Sequence, residues 1–415
     1  MTTSLSSRRS SSVRFFIRIV LLGSVSLGCL SPFAPARLLA EEPPADPLAE
    51  VYAKELRSSV ESLMAQFRRE RKYEVSDFPL EPDAFRRFQA DVVSGWASAL
   101  GLADWVIRKP ASGKRSPIAD KFKHRVVKRL TLENGVRIEA HVIEILATGD
   151  QIPMVLCLPP TEDGGADQSD KRRPGVVCCP GHSNHALRDL VFDRGSYQRA
   201  IAVRLAEAGF VTVAIEKVDS GYLSRTAPTG IDERAITSFR LGLGTDTTRA
   251  IQLMATLAAT EILALHPAVD EARIGATGVS LGGWLAIQTA LLSDRIQAVA
   301  EYATKTVFLG DDIKPSEFEG VGDICHIVPG TFQLGDRNIF MFPYAPRPLL
   351  SGHGGATDKH SHREYQHYYL EVHKAQYKAL GKPENFRYHI HDGGHTIPAE
   401  TVIGFFREQF QFPKD

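Results

Sequence analysis

Residues 273–292 read RIGATGVSLGGWLAIQTALL, and the fold turns on how this stretch is parsed. Its first part, 273–278, is short and apolar and reads as a strand, and 281–292 carries apolar residues in a helical run. Between them stands Gly278-Val279-Ser280-Leu281-Gly282, a G-x-S-x-G pattern. A chain that passes from strand to helix in so few residues must bend sharply, and small residues on either side of the serine permit the bend. The serine hydroxyl then projects from the edge of the sheet, above a helix N-terminus that favours developing negative charge. G-x-S-x-G alone is common, but one set between a strand and a helix is far more specific. Ser280 is therefore a candidate nucleophile, and a plain tight turn is the competing reading.

Working outward, apolar runs alternate with helical patterns. Strands are predicted at 175–179, 211–215, 273–278, 298–302, 347–351 and 386–391, and helices at 197–208, 246–265, 281–292, 363–380 and 397–410. Such alternation predicts an α/β fold, a mostly parallel sheet with helices on both faces. Ahead of it, 126–132 and 136–146 flank Asn134-Gly135, a hairpin signal because both residues tolerate positive φ. A third strand is expected at 153–158. The N-terminal antiparallel hairpin would make the sheet mixed.

A neutral serine hydroxyl needs a base to take its proton. In the order serine, acid, histidine, the strand ending in Leu349-Leu350 leads into a loop carrying Asp358. The strand ending at Ile390 leads into His391-Asp392-Gly393-Gly394-His395. The two glycines would let His395 fold back over Ser280, with Asp358 orienting the imidazole. His391 is a rival base, though it precedes the glycines; Asp392 is too near His395 in sequence to oppose it. Two backbone N–H groups are expected to hold the oxyanion, those of Leu281 and of His182 in Cys179-Pro180-Gly181-His182-Ser183, with Ser183 as the alternative. His353, His360, His362, His367 and His373 could suggest a metal, but their spacing matches no closed ligand set, and they read as exposed loop and helix histidines. No metal and no cofactor is expected.

Lys plus Arg and Asp plus Glu are both 49, so the formal net charge is zero; with no basic stripe, a nucleic-acid partner is not expected. Residues 1–40 read as a signal peptide: Arg8, Arg9, Arg14 and Arg18 precede an apolar run at 19–30 that is too short for a bilayer span of roughly twenty residues. Cleavage after Ala36 or Ala40, a lipoprotein at Cys29 and a twin-arginine route through Arg8-Arg9 all stay open. The expectation is a periplasmic or secreted protein without a stable membrane span after processing. Residues 41–120 read as a linker and helical N-terminal extension, with amphipathic stretches at 48–71 and 82–102, and 121–415 as the catalytic domain. Cys157, Cys178, Cys179 and Cys325 would remain, and export permits a disulfide.

With these residues in place the chain resembles the α/β-hydrolase superfamily, and within it the dienelactone-hydrolase-related and acetylxylan-esterase-like bacterial hydrolases. The resemblance lies in 174–184, 273–283, 345–358 and 391–395, including the phrase Ala345-Pro346-Arg347-Pro348-Leu349-Leu350. Pro180 departs from the His of many relatives, and Ser280 from the Cys of true dienelactone hydrolases. The resemblance implies an α/β-hydrolase fold and a carboxyl-ester hydrolase acting on a small-molecule or carbohydrate ester. The residues alone support acyl transfer through an acyl-Ser280 intermediate. A peptidase or amidase on the same fold, or a non-catalytic binding module, are the competing classes.

Overall fold

Gly135, at φ +81°, closes the first hairpin. The strands it joins are β1 (Phe122–Thr131) and β2 (Arg137–Ile145). Leu132 N–H donates to Val136 O at 2.8 Å and Gly135 N–H to Leu132 O at 2.9 Å. The connection is therefore a three-residue loop with glycine in the left-handed position. Only one of the two expected residues uses positive φ.

The structure is a computed structural model describing residues 66, 69–70, 72–73, 79–108, 114–160, 172–218, 220–223, 247–304, 328–335, 337–355, 358 and 363–413. The chain divides into units 1–57 and 58–415. The first unit, and with it the expected signal peptide, lies outside the described residues, as do most of the 48–71 stretch and Cys325.

Strand β3 (Gln151–Leu158) pairs antiparallel with β2 and with β5 (Val211–Ile215). From there the sheet is parallel through β4 (Arg173–Cys178), β6 (Val269–Val279), β7 (Ile296–Tyr302), β8 (Leu349–His353) and β9 (Phe386–Ile390). The order among the described residues is β1-β2-β3-β5-β4-β6-β7-β8-β9. Chain progression reverses direction between β4 and β6, so loops leaving their C-terminal ends diverge and leave a crevice.

The central strands are apolar on both faces because both faces are covered. On one side α2 (Ala186–Val191), α3 (Ile201–Glu207) and α7 (Ala399–Gln409) bury Leu190, Val203, Leu205, Phe405 and Phe406. On the other, α4 (Thr248–Leu265) and α5 (Leu281–Leu292) bury nearly every residue. Helix α6 (Arg363–Ala379) adds Tyr377 to that side. So does α1 (Pro82–Ala99), whose Phe85, Phe88, Val92, Val93 and Trp96 join the same core. The 82–102 stretch thus packs on the sheet domain. Pro82 at the first turn and the Glu81 carboxylate, which accepts from the Asp83 and Ala84 N–H groups, start α1 where the sequence suggests.

The predicted helix at 197–208 is shorter than expected. Arg199 and Ala200 adopt φ +55° and +48°, so α3 begins only at Ile201. Consecutive left-handed residues without glycine are strained, and the side chains of Tyr197 and Gln198 are engaged elsewhere. The three described cysteines, Cys157, Cys178 and Cys179, are buried free thiols, the last two adjacent on and just after β4.

Candidate active site

The bend after β6 forms because two glycines allow backbones to touch. A Cβ on Gly278 would lie 2.4 Å from the carbonyl carbon of Gly282, and one on Gly282 would lie 2.4 Å from the Cys179 carbonyl oxygen. Ser280 sits at the apex with φ +61° and ψ −127°, a conformation a non-glycine residue adopts at a cost of order 1–3 kcal/mol. The surroundings hold it there. Ser280 N–H donates to Tyr302 O at 2.8 Å and its carbonyl accepts from Trp284 N–H at 3.2 Å. Leu281 opens α5, so its N–H belongs to the first turn, which has no partner carbonyl within the helix. The contact between Gly282 and Cys179 also seats the loop after β4 against this turn.

The loops after β8 and β9 bring the predicted acid and base together. His395 Nδ1 lies 3.0 Å from Asp358 Oδ1, with the Asp358 side chain fully buried and that of His395 23% exposed. Gly354 N–H reaches the other carboxylate oxygen at 3.4 Å. A Cβ on Gly354 would fall 1.8 Å from the Gly394 carbonyl oxygen, so the two loops meet backbone to backbone. Gly394, at φ +66°, makes the turn that returns the chain to His395; Gly393 does not use a positive φ.

His391 is placed otherwise. Its Nδ1 accepts from Gly393 N–H at 3.1 Å, and its ring stacks on His389 and meets Tyr302 edge-on. Its buried Nε2 has no partner. Burial and the neighbouring His389 hold its pKa below the usual histidine value. The expectation of exposed histidines fails for two of the five. His353 and His373 are buried, His353 accepting Gly355 N–H at 3.0 Å and His373 stacked between Phe342 and Phe386. Flat imidazoles fill apolar gaps between rings, which spacing along a helix does not reveal. His360 and His362 lie outside the described residues, as does the side chain of His367. Among the described residues no group of three or more His, Cys, Asp or Glu could hold a metal.

The loop after β4 carries His182 and Ser183, both half-buried. Its Gly181 N–H donates to the buried Gln198 Oε1 at 2.8 Å, and the His182 carbonyl accepts from Tyr197 Oη at 2.7 Å. Ser183 O accepts from Ser220 Oγ, and Ser183 Oγ bonds to Asp189. The Tyr197 ring stacks on the His395 ring, centroids 5.8 Å apart and planes within 20°. Glu216, buried just past β5, takes the N–H groups of Lys217 and Leu187 at 3.0 and 3.2 Å. Burial pushes its carboxyl above the usual carboxylate range. Sequence reading missed Tyr197, Gln198 and Glu216.

A mixed sheet in this order, with a strained serine on the bend after β6 and loops after β8 and β9 carrying an acid–imidazole pair, is the α/β-hydrolase fold. Within that class, residues 230–311, which hold Ser280 and α5, match the family described as acetyl xylan esterase. No curated protein matches the sequence. Among solved structures, a Bacteroides fragilis protein assigned to the acetyl xylan esterases superposes with TM-score 0.62 at 16% identity, covering 85% of this chain and 95% of that one. A methylesterase gives 0.57 at 19% identity over 86% of this chain and 69% of that one. A glucuronoyl esterase from Solibacter usitatus gives 0.53 at 15% over 78% and 92%. The resemblance read from 174–184, 273–283, 345–358 and 391–395 agrees with these matches, which at such identities establish a shared fold. No helix among the described residues is long and apolar enough to cross a membrane.

Proposed function

We propose that this protein is an exported serine esterase that removes short acyl groups, acetyl foremost, from a carbohydrate through an acyl-Ser280 intermediate. The observation that carries the reading is the buried Asp358 carboxylate 3.0 Å from His395 Nδ1, on loops flanking the bend that presents Ser280. Asp358 accepts the Nδ1 hydrogen bond, which leaves Nε2 as the basic nitrogen. Nε2 takes the Ser280 proton as Oγ attacks the ester carbonyl, then returns it to the leaving sugar oxygen. Water activated by the same nitrogen releases the acid and restores Ser280. The negative charge on the tetrahedral carbon's oxygen falls to the N–H groups of Leu281 and His182, aided by the N-terminus of α5. The acetyl preference rests on the family match at 230–311. Export rests on the basic and apolar pattern of residues 1–40.

Ser280→Ala is expected to abolish both fluorophosphonate labelling and hydrolysis of acetylated xylooligosaccharides, with the thermal transition nearly unchanged. Turnover surviving in that variant would end the assignment. A panel of acetyl, butyryl and feruloyl sugar esters, a methyl uronate and a peptide amide ranks the substrate. Preference for the uronate would move the sugar to the acid side of the ester, and preference for the amide would replace the esterase reading.

A further inference from the structure

Of two neighbouring residues, Tyr197 touches both halves of the proposed machinery and Gln198 the oxyanion half. Tyr197 Oη donates to the His182 carbonyl, its ring stacks on His395, and its own carbonyl accepts from Ile397 N–H at 3.0 Å, two residues beyond that histidine. Gln198, 1% exposed, accepts from Gly181 N–H and donates to Ala186 O at 3.3 Å, so it spans the loop that carries His182. The fit is close. A Cβ on Gly181 would stand 2.1 Å from Tyr197 Oη and 2.8 Å from the carbonyl oxygen of Val279, the residue before Ser280. Gly181 is thus held between the tyrosine hydroxyl and the serine bend. The segment presenting these side chains continues into the left-handed pair Arg199 and Ala200. Strain of this kind persists only where surrounding contacts over-determine it.

We infer that Tyr197 is a positioning residue that clamps the oxyanion loop to the histidine loop, and that Gln198 braces the oxyanion loop itself, so that together they fix the distance between oxyanion donors and base. The inference rests on the acyl-transfer reading above. Tyr197 Oη fixes the peptide plane that follows His182, and Gln198 fixes the one that precedes Gly181. Between them, the peptide bearing the His182 N–H has little freedom to turn. The tyrosine face lies against the imidazole plane and attracts the cation formed when His395 takes a proton, the centroid separation being within the roughly 6 Å at which such contacts count. Neither side chain need touch the substrate. Small misplacement of catalytic groups is costly, on the order of a hundredfold for about 1 Å.

Tyr197→Phe keeps the ring and removes only the hydroxyl. It is expected to lower kcat by about tenfold with KM within about twofold, because the donors it aligns act in the transition state. Affinity for an alkylboronic acid, which forms a tetrahedral adduct on Ser280, should fall by a similar factor, while inhibition by the free alcohol product stays constant. Tyr197→Leu, which also removes the stack, should lose at least tenfold more. Gln198→Glu, which keeps the acceptor for Gly181, should retain more activity than Gln198→Leu; if the latter fails to fold, the tyrosine pair decides alone. A Tyr197→Phe enzyme with kcat within twofold of wild type overturns the inference, as does a loss that appears equally in KM and product inhibition. Failure of the acyl-transfer reading itself would show separately, as a wild type with no Ser280 adduct.

Discussion

The proposed acid and base, Asp358 and His395, are joined by one hydrogen bond. The carboxylate is buried, and its Oδ1 is 3.0 Å from His395 Nδ1 while Gly354 N–H supports the other oxygen. Asp358→Asn preserves the size but can present an N–H₂ to the ring, which favours the tautomer with its proton on Nε2 and removes the base. Steady-state assays on an acetyl ester should show kcat falling on the order of 10⁴-fold with KM little changed. A fall smaller than tenfold would mean that another carboxylate orients the ring. The bend at Ser280 and the pairing of Asp358 with His395 were legible because each stands in a local signal: glycines around a serine between strand and helix, and polar loops after apolar strands. The donor roles of Leu281 and His182 were read from those positions and belong to the acyl-transfer proposal. Tyr197 and Gln198 were not legible. Within Gly195-Ser196-Tyr197-Gln198-Arg199 no pattern distinguishes them, and the residue signal that helices favour was overridden by the left-handed pair that follows. Their significance comes from what tertiary packing sets opposite them.

At the level of elements, strands and helices of the sheet domain matched the apolar periodicity closely, with β5 at 211–215 and α5 at 281–292 as read. Departures have local causes. The strand expected from 347 starts at Leu349, since Arg347 N–H closes a turn onto Tyr344 O and Pro348 has no N–H to give a ladder. The expected strand at 273–278 begins at Val269, because 269–270 pair with 173–174 ahead of a register shift. Helix α2, six residues long, gives too few turns for a periodic signal. One element contact was beyond sequence reading altogether. Arg295, 3% exposed just before β7, bonds Glu261 of α4 at 3.2 Å, Glu271 of β6 at 2.6 Å and the carbonyl of Lys114 at 2.9 Å. Glu261 also accepts from Ser116 N–H at 2.7 Å. Arg295→Met would leave Glu261 buried without its cation, and breaking one side of such a pair costs about 3–5 kcal/mol. Urea unfolding should show that loss, with a large part recovered in the Arg295→Met, Glu261→Leu double variant. No recovery would mean that Arg295 acts through the Lys114 carbonyl and Glu271 rather than through Glu261.

Across the whole molecule, the helical extension shares a core with the sheet domain. The amphipathic face of 82–102 was evident from its spacing, but what that face covers was not. The structure sets α1 against the segment before β8: the Trp96 and Phe340 ring centroids are 4.4 Å apart, and Gln89 Nε2 donates to the carbonyls of Pro343 and Ala345 at 2.8 and 2.6 Å. Through Phe342 and Tyr344 that segment reaches α6 and β8, the strand whose following loop carries Asp358. A shared core predicts shared unfolding. Trp96 is 3% exposed and its Nε1 has no hydrogen-bond partner, so Trp96→Ala removes packing without breaking a polar contact. Truncating a buried tryptophan costs about 3–5 kcal/mol, which for a chain of this size lowers Tm by roughly 5 °C. Calorimetry should show one transition moving as a whole, and the temperature at which Ser280 labelling is lost should move with it. If the thermogram instead splits, with labelling persisting past the lower step, the extension is an independent unit and the catalytic body ends at its own surface.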